Sequence, residues 1–530
     1  MNDHAPVLIA GGGLTGLAIA SFLARHGIRS IAVEKLPQSS PLPRAAFFHM
    51  RTLEMFRELG IEARVREESA REFVPDGALI AMDCIAGRKL ADIISNLNEG
   101  VDQVSPCRRW FLNQPSLEPI LRERARAAGA LVLQGTEVTG LEQDADGVTL
   151  RVRDADGGGR ERALRGEYLV AADGGHSKVR ELLGIGYQGR GAFSKSLTIY
   201  FSADLSPWLG EKPWSIIYVN NPVLAGFFRM NRAGRVGFLG VNTLGDPRVD
   251  PVAASNAAVD VTEARMVELV RAGVGKPDLP VQIDGFSRWR ATADVATEFQ
   301  RGRVFIIGDA AHLMPPNGGF GGNTGIHDAH NLAWKLAQVI RGHAHARLLE
   351  SYARERQPVA RFTVEQAFAR YVARTAPWLA ATQKTDALAH DFDIEIGYLY
   401  GQDRVHADPR TTRGLPGARI PHYWLEREGR RLSTIDLTGG WLLLAGPEGQ
   451  PWCEAARAAA REYSSLPIEA LRIGGELRDP AGNFTAAVGI QDDGALLVRP
   501  DGFVAWRAAK SAPDTVTELR AALGHALGWT

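Results

Sequence analysis

The first motif that could carry chemistry is Gly11-Gly12-Gly13-Leu14-Thr15-Gly16, a G-x-G-x-x-G pattern that follows the apolar run Val7–Ala10. Gly11 permits a tight turn from strand to helix, Gly13 lets the backbone approach a pyrophosphate, and Gly16 allows close helix–strand packing. A second apolar run ends at Glu34, whose carboxylate can accept hydrogen bonds from both hydroxyls of an adenosine ribose. The pattern predicts a dinucleotide-binding βαβ unit.

Two shorter motifs also stand at the ends of apolar runs and could complete the same site. They are Asp173-Gly174 and Gly308-Asp309. Asp309 is placed to accept hydrogen bonds from ligand hydroxyls, and its alternative role is to cap a helix. The glycine-rich segment 318–325 precedes a helix expected over 326–341, so its N–H groups can point at a planar ring near a positive helix end.

The elements around these motifs predict a discontinuous first domain. Residues 197–289 carry aromatic and β-branched runs that indicate a mostly antiparallel sheet, and the nucleotide-binding pattern resumes at 304. The antiparallel sheet is therefore expected as an insertion. Residues 408–431, rich in Pro, Gly and Arg, are interpreted as a linker. Beyond them, a strand at 441–444, a helix at 454–462 and a hairpin at 495–506 indicate a further α/β domain.

Composition excludes several classes of protein. The 530 residues carry 61 Lys plus Arg and 61 Asp plus Glu, so no net charge favours nucleic acid or an anionic membrane. The three cysteines form no C-x-x-C pair, which argues against a disulfide framework, a zinc site or a dithiol redox centre. The sequence shows no signal peptide and no run of about 18 apolar residues. We expect a soluble, cytoplasmic protein that binds no metal.

Taken together, the motifs resemble those of the class A flavoprotein monooxygenases, which have a para-hydroxybenzoate-hydroxylase-like fold. The resemblance rests on 11–16, on 168–180, on 308–335 and, near the C-terminus, on 414–422 and 498–507. It implies an α/β fold with three parts. These are a discontinuous Rossmann-like FAD-binding domain (1–75, 101–190 and 290–400), an inserted antiparallel substrate-binding domain (76–100 and 191–289) and a thioredoxin-like C-terminal domain (401–530) without C-x-x-C.

The resemblance also implies FAD as cofactor, NADPH or NADH as a transient reductant and O2 as cosubstrate. The cofactor contacts it implies are Gly11, Gly13, Leu14, Thr15, Gly16, Glu34, Lys35, Arg44, Gln114, Asp173, Gly174, Gly308, Asp309, Pro316, Gly319, Gly321, Gly322, Asn323 and Thr324. A carbonyl of the Pro315-Pro316 pair would line the pocket where oxygen reacts. No side chain is assigned as a catalytic base.

Candidate substrate contacts are polar or aromatic residues in or near the expected insertion: His49, Tyr218, Phe228, Arg229 and Asn242. Each could instead belong to the core. The resulting hypothesis is an FAD-dependent NAD(P)H aromatic hydroxylase that acts through a flavin hydroperoxide on a polycyclic or phenolic substrate, most plausibly an aromatic polyketide in antibiotic biosynthesis. A simple phenol hydroxylase, a Baeyer–Villiger monooxygenase and a flavin-binding protein without turnover are the alternatives. The expected partner is a small aromatic molecule, and the chain is expected to be a monomer or homodimer.

Overall fold

A computed structural model describes residues 3–39, 42, 47–156, 158–245, 249–250, 254–259, 261–463 and 466–529. Among the described residues, no helix is both long and apolar enough to cross a bilayer. The helices are α1 (Leu14–Arg25), α2 (Met50–Glu58), α3 (Glu62–Glu72), α4 (Gln114–Ala127), α5 (Lys178–Leu182), α6 (Ser206–Leu209), α7 (Glu263–Val274), α8 (Phe320–Ile340), α9 (Glu350–Arg374), α10 (Asp391–Glu395), α11 (Gln450–Glu462), α12 (Phe484–Val488) and α13 (Thr515–Ala526).

The nucleotide-binding pattern forms a six-stranded sheet in the order β17-β18-β11-β1-β2-β7. Its strands are β1 (Val7–Ala10), β2 (Ser30–Glu34), β7 (Leu131–Gln134), β11 (Tyr168–Ala171), β17 (Gln300–Arg301) and β18 (Val304–Ile306). All neighbours run parallel except β17 and β18. The carboxyl ends of β1, β11 and β18 therefore lie side by side, and each carries one of the three motifs.

The aromatic runs form an eight-stranded sheet in the order β19-β16-β12-β15-β14-β13-β4-β5. Its strands are β4 (Ala78–Met82), β5 (Lys89–Ile94), β12 (Tyr187–Ser202), β13 (Trp214–Asn220), β14 (Leu224–Met230), β15 (Val236–Leu244), β16 (Gln282–Ala296) and β19 (His312–Leu313). Neighbours are antiparallel except β4 and β13. Helix α7 packs on one face, which we call the outer face, and the opposite face is the inner face.

Smaller sheets complete the first two regions. A three-stranded antiparallel sheet contains β8 (Thr136–Gln143), β9 (Val148–Asp154) and β10 (Arg162–Gly166). A ribbon pairs β3 (Phe47–Phe48) with β6 (Trp110–Phe111). This ribbon lies against the inner face, because Phe111 packs in one buried cluster with Tyr218.

The C-terminal region has a four-stranded sheet in the order β23-β22-β24-β25. Its strands are β22 (Trp441–Ala445), β23 (Ile468–Arg472), β24 (Ala495–Val498) and β25 (Val504–Ala508), preceded by the hairpin β20 (Trp424–Arg427) and β21 (Arg430–Ser433). The parallel pair β22 and β23 is connected through α11, and an antiparallel hairpin and α13 follow. This is the arrangement expected of a thioredoxin-like domain. All three cysteines are free thiols.

Two predictions about local structure were wrong. Helix α8 begins at Phe320, six residues before the predicted start, so most of the glycine-rich segment is helical. The predicted linker is packed rather than solvated, since Ala418, Arg419 and Ile420 are all buried. The predicted domain boundaries stay a prediction.

Candidate active site

The three motifs are in direct contact through their glycines. A β-carbon at Gly308 would lie 2.8 Å from Thr15 Oγ1 in the first turn of α1, and one at Gly325 would lie 2.6 Å from the same atom. A β-carbon at Gly11 would lie 2.3 Å from the carbonyl oxygen of Ala172, next to Asp173. Successive motifs are more than 130 residues apart in sequence, and together they surround one glycine-lined site.

Two carboxylates border this site. Glu34 Oε2 accepts a hydrogen bond from the Gly12 N–H at 2.7 Å, and Asp173 Oδ2 accepts one from Val179 N at 3.0 Å. The other oxygen of Asp173 is buried and has no hydrogen-bond partner among the described residues, and burial raises the pKa of this carboxyl. An acceptor without a donor beside a glycine cradle fits a ligand that brings both phosphates and hydroxyls.

Helix α8 presents a bare N-terminus to the same region. Gly318 and Gly319 have φ values of +96° and +69°, which favour glycine, and Gly319 caps the helix without a side-chain hydrogen bond. Gly321 and Gly322 stand in the first turn, where N–H groups have no partner within the helix. Such a terminus carries partial positive charge and suits the polar edge of a planar ring.

Pro316 shapes the loop before this helix. Its carbonyl oxygen accepts a hydrogen bond from Gly319 N at 2.9 Å, and the residue is exposed. Its carbonyl therefore closes a turn of the loop.

Asn323 fastens the loop to the ribbon and to α2. Its Nδ2 donates to the carbonyls of Phe47 at 2.8 Å and Gly319 at 2.7 Å. Its Oδ1 accepts from His49 N at 2.9 Å and from Thr52 Oγ1 at 2.6 Å. The side chain is thus fully used within the protein.

His49 lies under the same loop rather than on the sheet. Its Nε2 donates to the carbonyl of Gly318 at 2.9 Å, and burial lowers the pKa of the imidazole. The ring is 1% exposed and packs edge-on against Phe47 and Phe320. In this structure the His49 side chain supports the backbone of the glycine loop, and its contact with substrate stays a prediction.

The remaining predicted cofactor contacts occupy different positions. Thr324 is buried and its hydroxyl donates to the Phe320 carbonyl at 2.9 Å, while Leu14 is buried in the core. Gln114 donates to Glu118 at 2.7 Å, beside Gly13. Lys35, Gly174 and Asp309 are not buried. Arg44 lies outside the described residues.

A further acid, which the sequence analysis did not single out, holds the third motif in place. Asp328 on α8 accepts hydrogen bonds from Gly308 N at 3.1 Å and His312 Nε2 at 2.8 Å, and it pairs with Arg356 at 2.7 Å. All four residues are buried. The sequence signal for Asp328 is its position within 308–335, one of the segments on which the family resemblance rests.

A line of aromatic rings crosses the inner face of the eight-stranded sheet. Ring centroids are 6.0 Å apart for Tyr218 and Phe227, 5.8 Å for Phe227 and Phe238, and 6.1 Å for Phe238 and Tyr200. The predicted residue Asn242 lies on this face too, and neither polar atom of its side chain has a partner among the described residues. Phe228 does not lie on the inner face, because its side chain packs on the outer face against Gly273 of α7. The predicted contact of Phe228 with substrate stays a prediction.

The inner face adjoins the glycine loop through Phe47. A β-carbon at Gly319 would lie 3.1 Å from Phe47 Cβ, and the Phe47 ring stacks on Phe111 with centroids 4.7 Å apart. The ring of Phe111 in turn lies 4.8 Å from the guanidinium carbon of Arg229. A cavity of about 350 Å³ opens here and is lined by Arg229, Phe73, Tyr200 and Phe238, among others.

Comparison with known proteins agrees with this geometry. A family model described as an FAD binding domain matches residues 4–367, and one described as the C-terminal region of aromatic-ring hydroxylases matches 413–529. The chain is 45% identical to a 4-methyl-5-nitrocatechol 5-monooxygenase of a Burkholderia species, over 98% of this chain and 96% of that protein. It is 38% identical to a tetracenomycin B2 monooxygenase-dioxygenase of Streptomyces olivaceus, over 99% of both proteins.

Solved structures show the same fold. An aklavinone-11 hydroxylase in complex with FAD and aklavinone superposes with a TM-score of 0.91, at 36% identity and over 100% of both chains. The flavin-dependent monooxygenase PieE, in complex with FAD and substrate, gives a TM-score of 0.86 at 32% identity over 99% of both chains. The chain therefore belongs to the family of FAD-dependent aromatic-ring hydroxylases, enzymes that use NAD(P)H and O2 to hydroxylate aromatic substrates.

Proposed function

We propose that the enzyme hydroxylates a phenolic substrate of several fused rings, an aromatic polyketide, on the inner face of the eight-stranded sheet. The line of rings from Tyr218 to Tyr200 carries this proposal. It spans three strand spacings, roughly 14 Å, which is wider than one substituted benzene ring needs. The relatives that act on tetracenomycin and the hydroxylase crystallised with aklavinone support the same class.

A single-ring catechol is the second candidate, and a specific observation favours it. The cavity at Arg229 has a volume of about 350 Å³, which is at the small end for ligand pockets. The relative with 45% identity is named for a nitrocatechol. Hydroxylation is the proposed outcome for either substrate, and Baeyer–Villiger oxidation remains the alternative outcome.

For the cofactor, we propose that the glycine-lined site holds FAD. The pyrophosphate would lie at the N-terminus of α1, with Glu34 at the adenosine ribose and Asp173 and Asp309 toward the ribityl chain. The first turn of α8 would contact the polar edge of the flavin ring. Bound FAD supplies the redox chemistry, accepting electrons from NAD(P)H and reacting with O2.

The chain's own residues position the reactants and exclude water. Phe47 and Phe111 place apolar surface between the glycine loop and the cavity, so a ring on the inner face would lie near the flavin site against apolar side chains. His49 and Asn323 hold the loop backbone fixed. We assign no catalytic base.

Turnover of the FAD-loaded enzyme with a substrate panel tests the proposal. Polycyclic phenols such as aklavinone, and catechols such as 4-methyl-5-nitrocatechol, are supplied with NAD(P)H and labelled O2. We expect at least one class to accelerate NAD(P)H oxidation and to yield a product that contains one labelled oxygen atom. Protein that retains FAD but shows no aromatic-dependent oxidation would contradict the proposal and favour flavin binding without turnover.

We further propose that the enzyme is cytoplasmic and is a monomer or homodimer. The three free thiols support a reducing compartment. Light scattering of the purified protein gives the oligomeric state directly.

A further inference from the structure

Arg229 on β14 is a buried cation that forms no ion pair among the described residues. The residue is 5% exposed, and its Nε and Nη2 have no hydrogen-bond partner among the described residues. Its guanidinium carbon lies 4.0 Å from the ring centroid of Phe73 and 4.8 Å from that of Phe111. The cation is thus held between two aromatic faces with its N–H groups unused.

This arrangement is unfavourable for folding alone. Contacts with two rings stabilise a cation only modestly, whereas each unsatisfied buried donor is costly. Burial accordingly lowers the pKa of Arg229 to about 9, which still leaves the group protonated at neutral pH. A buried charge with unpaired donors among the described residues is most simply explained by a partner that binds.

The acids nearby do not supply that partner. Glu72 lines the same cavity, but its carboxylate accepts hydrogen bonds from Asn113 at 2.9 Å and from Ser116. Asp284, at the rim, accepts from Ser202 at 2.7 Å. The charge of Glu72 raises the pKa of Arg229 and partly offsets the effect of burial, but neither acid forms an ion pair with Arg229 among the described residues. The hydrogen-bonding sites at Nε and Nη2 are therefore not occupied by these acids.

We propose that Arg229 binds a ring-bound oxyanion of the aromatic substrate, such as a phenolate, and so selects the ionised form. The planar guanidinium offers several donors to such an oxygen, and the flanking phenylalanine rings accommodate the attached ring. This inference rests on the proposed function, because it assigns a specificity role to a residue in the proposed substrate cavity. It also predicts that the two substrate classes share an acidic phenol.

Binding of 4-nitrocatechol, whose absorbance reports ionisation, and of neutral catechol tests the inference on the FAD-loaded protein. We expect R229M to bind the nitrocatechol anion about 10- to 100-fold more weakly, and catechol within about twofold of wild type. The wild-type protein should lower the pKa of the bound nitrocatechol by about one unit or more relative to R229M, since one unit corresponds to a tenfold preference for the anion. R229K should retain part of the preference.

The matched control is R235M, which removes an exposed arginine from the turn between β14 and β15. We expect it to leave both affinities unchanged. R229M should fold and retain FAD, because an apolar side chain of similar volume replaces an unpaired buried charge. Failure of R229M to fold would show that the guanidinium has a structural partner, which overturns the inference.

Other outcomes are equally decisive. If R229M binds both probes like wild type, or loses both equally, Arg229 does not recognise an oxyanion while the proposed function stands. If wild-type protein binds neither probe and no aromatic compound accelerates NAD(P)H oxidation, the proposed function fails together with this inference.

Discussion

Replacing Gly325 by alanine tests whether the three glycine motifs surround one site. Gly325 lies inside α8, where alanine is about 1 kcal/mol more favourable than glycine. The new β-carbon, however, would lie 2.6 Å from Thr15 Oγ1, 3.1 Å from Gly308 Cα and 3.4 Å from Thr15 Cγ2. Forcing an atom into such a contact costs about 1–3 kcal/mol, so we expect G325A to destabilise the protein by roughly 0–2 kcal/mol.

The structure also predicts which second substitution relieves the strain. T15A removes two of the three close atoms, whereas T15S keeps the hydroxyl that makes the 2.6 Å contact. In the T15A background, G325A should therefore become neutral or stabilising, which is a coupling of about 1–2 kcal/mol. In the T15S background we expect little relief, which makes T15S the matched control.

Urea-unfolding midpoints of the single and double variants measure this coupling, and flavin fluorescence quenching gives the FAD affinity of each. We expect G325A to weaken FAD binding and T15A/G325A to recover part of it relative to G325A. Effects of T15A and G325A that add to within about 0.5 kcal/mol, or equal rescue by T15A and T15S, would refute the packing of these motifs against one another.

Three further substitutions have defined outcomes. F227A should weaken aromatic substrate binding with a modest effect on stability. F228A should instead lower the unfolding free energy by about 3–5 kcal/mol and leave the substrate Kd of the folded protein unchanged. Equal effects of the two substitutions on Kd would contradict the assignment of Phe227 to the inner face and Phe228 to the outer face. N323A removes one hydrogen bond to the glycine loop, at Gly319, and three that fasten it to Phe47, His49 and Thr52. It should weaken FAD binding by up to about 100-fold, as measured by flavin fluorescence, and unchanged affinity would exclude the loop from the cofactor site. Burial raises the pKa of Glu54, but Arg419 and Arg51 outweigh it and lower the pKa from 4.5 to about 2. The ionised carboxylate should therefore stabilise the fold by about 3 kcal/mol above pH 4.5, and this contribution should be lost as the pH falls toward 2. In E54Q the urea-unfolding midpoint should depend less on pH between 4.5 and 2 than in the wild-type protein. An equal pH dependence of the midpoint in both proteins would contradict the ion pair.

The convergence of the three glycine motifs was predictable because each motif is local in the sequence. A glycine pattern flanked by strand and helix, and acids at strand ends, constrain the backbone wherever they occur. The start of α8 was missed because Gly321 and Gly322 are poor helix formers, and only the left-handed Gly318 and Gly319 mark the true boundary.

The residues of the substrate cavity were less predictable, because the alternation of side chains along a strand defines two faces and does not show which face lines the cavity. Phe227 and Phe228 are adjacent and both aromatic, so either could face the substrate until the position of α7 is known. Arg229 shows the same limit, since its ring partners, Phe73 and Phe111, come from distant segments. The sequence indicated which residue types suit a pocket, but only the tertiary packing shows which of these residues line it.

The failed linker prediction has a structural consequence for the active site. Arg419, in the segment interpreted as a linker, pairs with Glu54 of α2 at 2.5 Å, and Arg499 of the C-terminal hairpin pairs with Glu355 of α9 at 2.7 Å. Glu355 also pairs with Lys335 of α8 at 2.7 Å.

Glu54 is buried and Glu355 is half-buried, so removing their C-terminal partners would leave each acid with one remaining cation, Arg51 for Glu54 and Lys335 for Glu355. The C-terminal region is therefore part of what holds the cofactor site in shape, although it supplies none of the three motifs. Charged residues in a Pro- and Gly-rich segment look solvated only because their partners lie hundreds of positions away in the sequence.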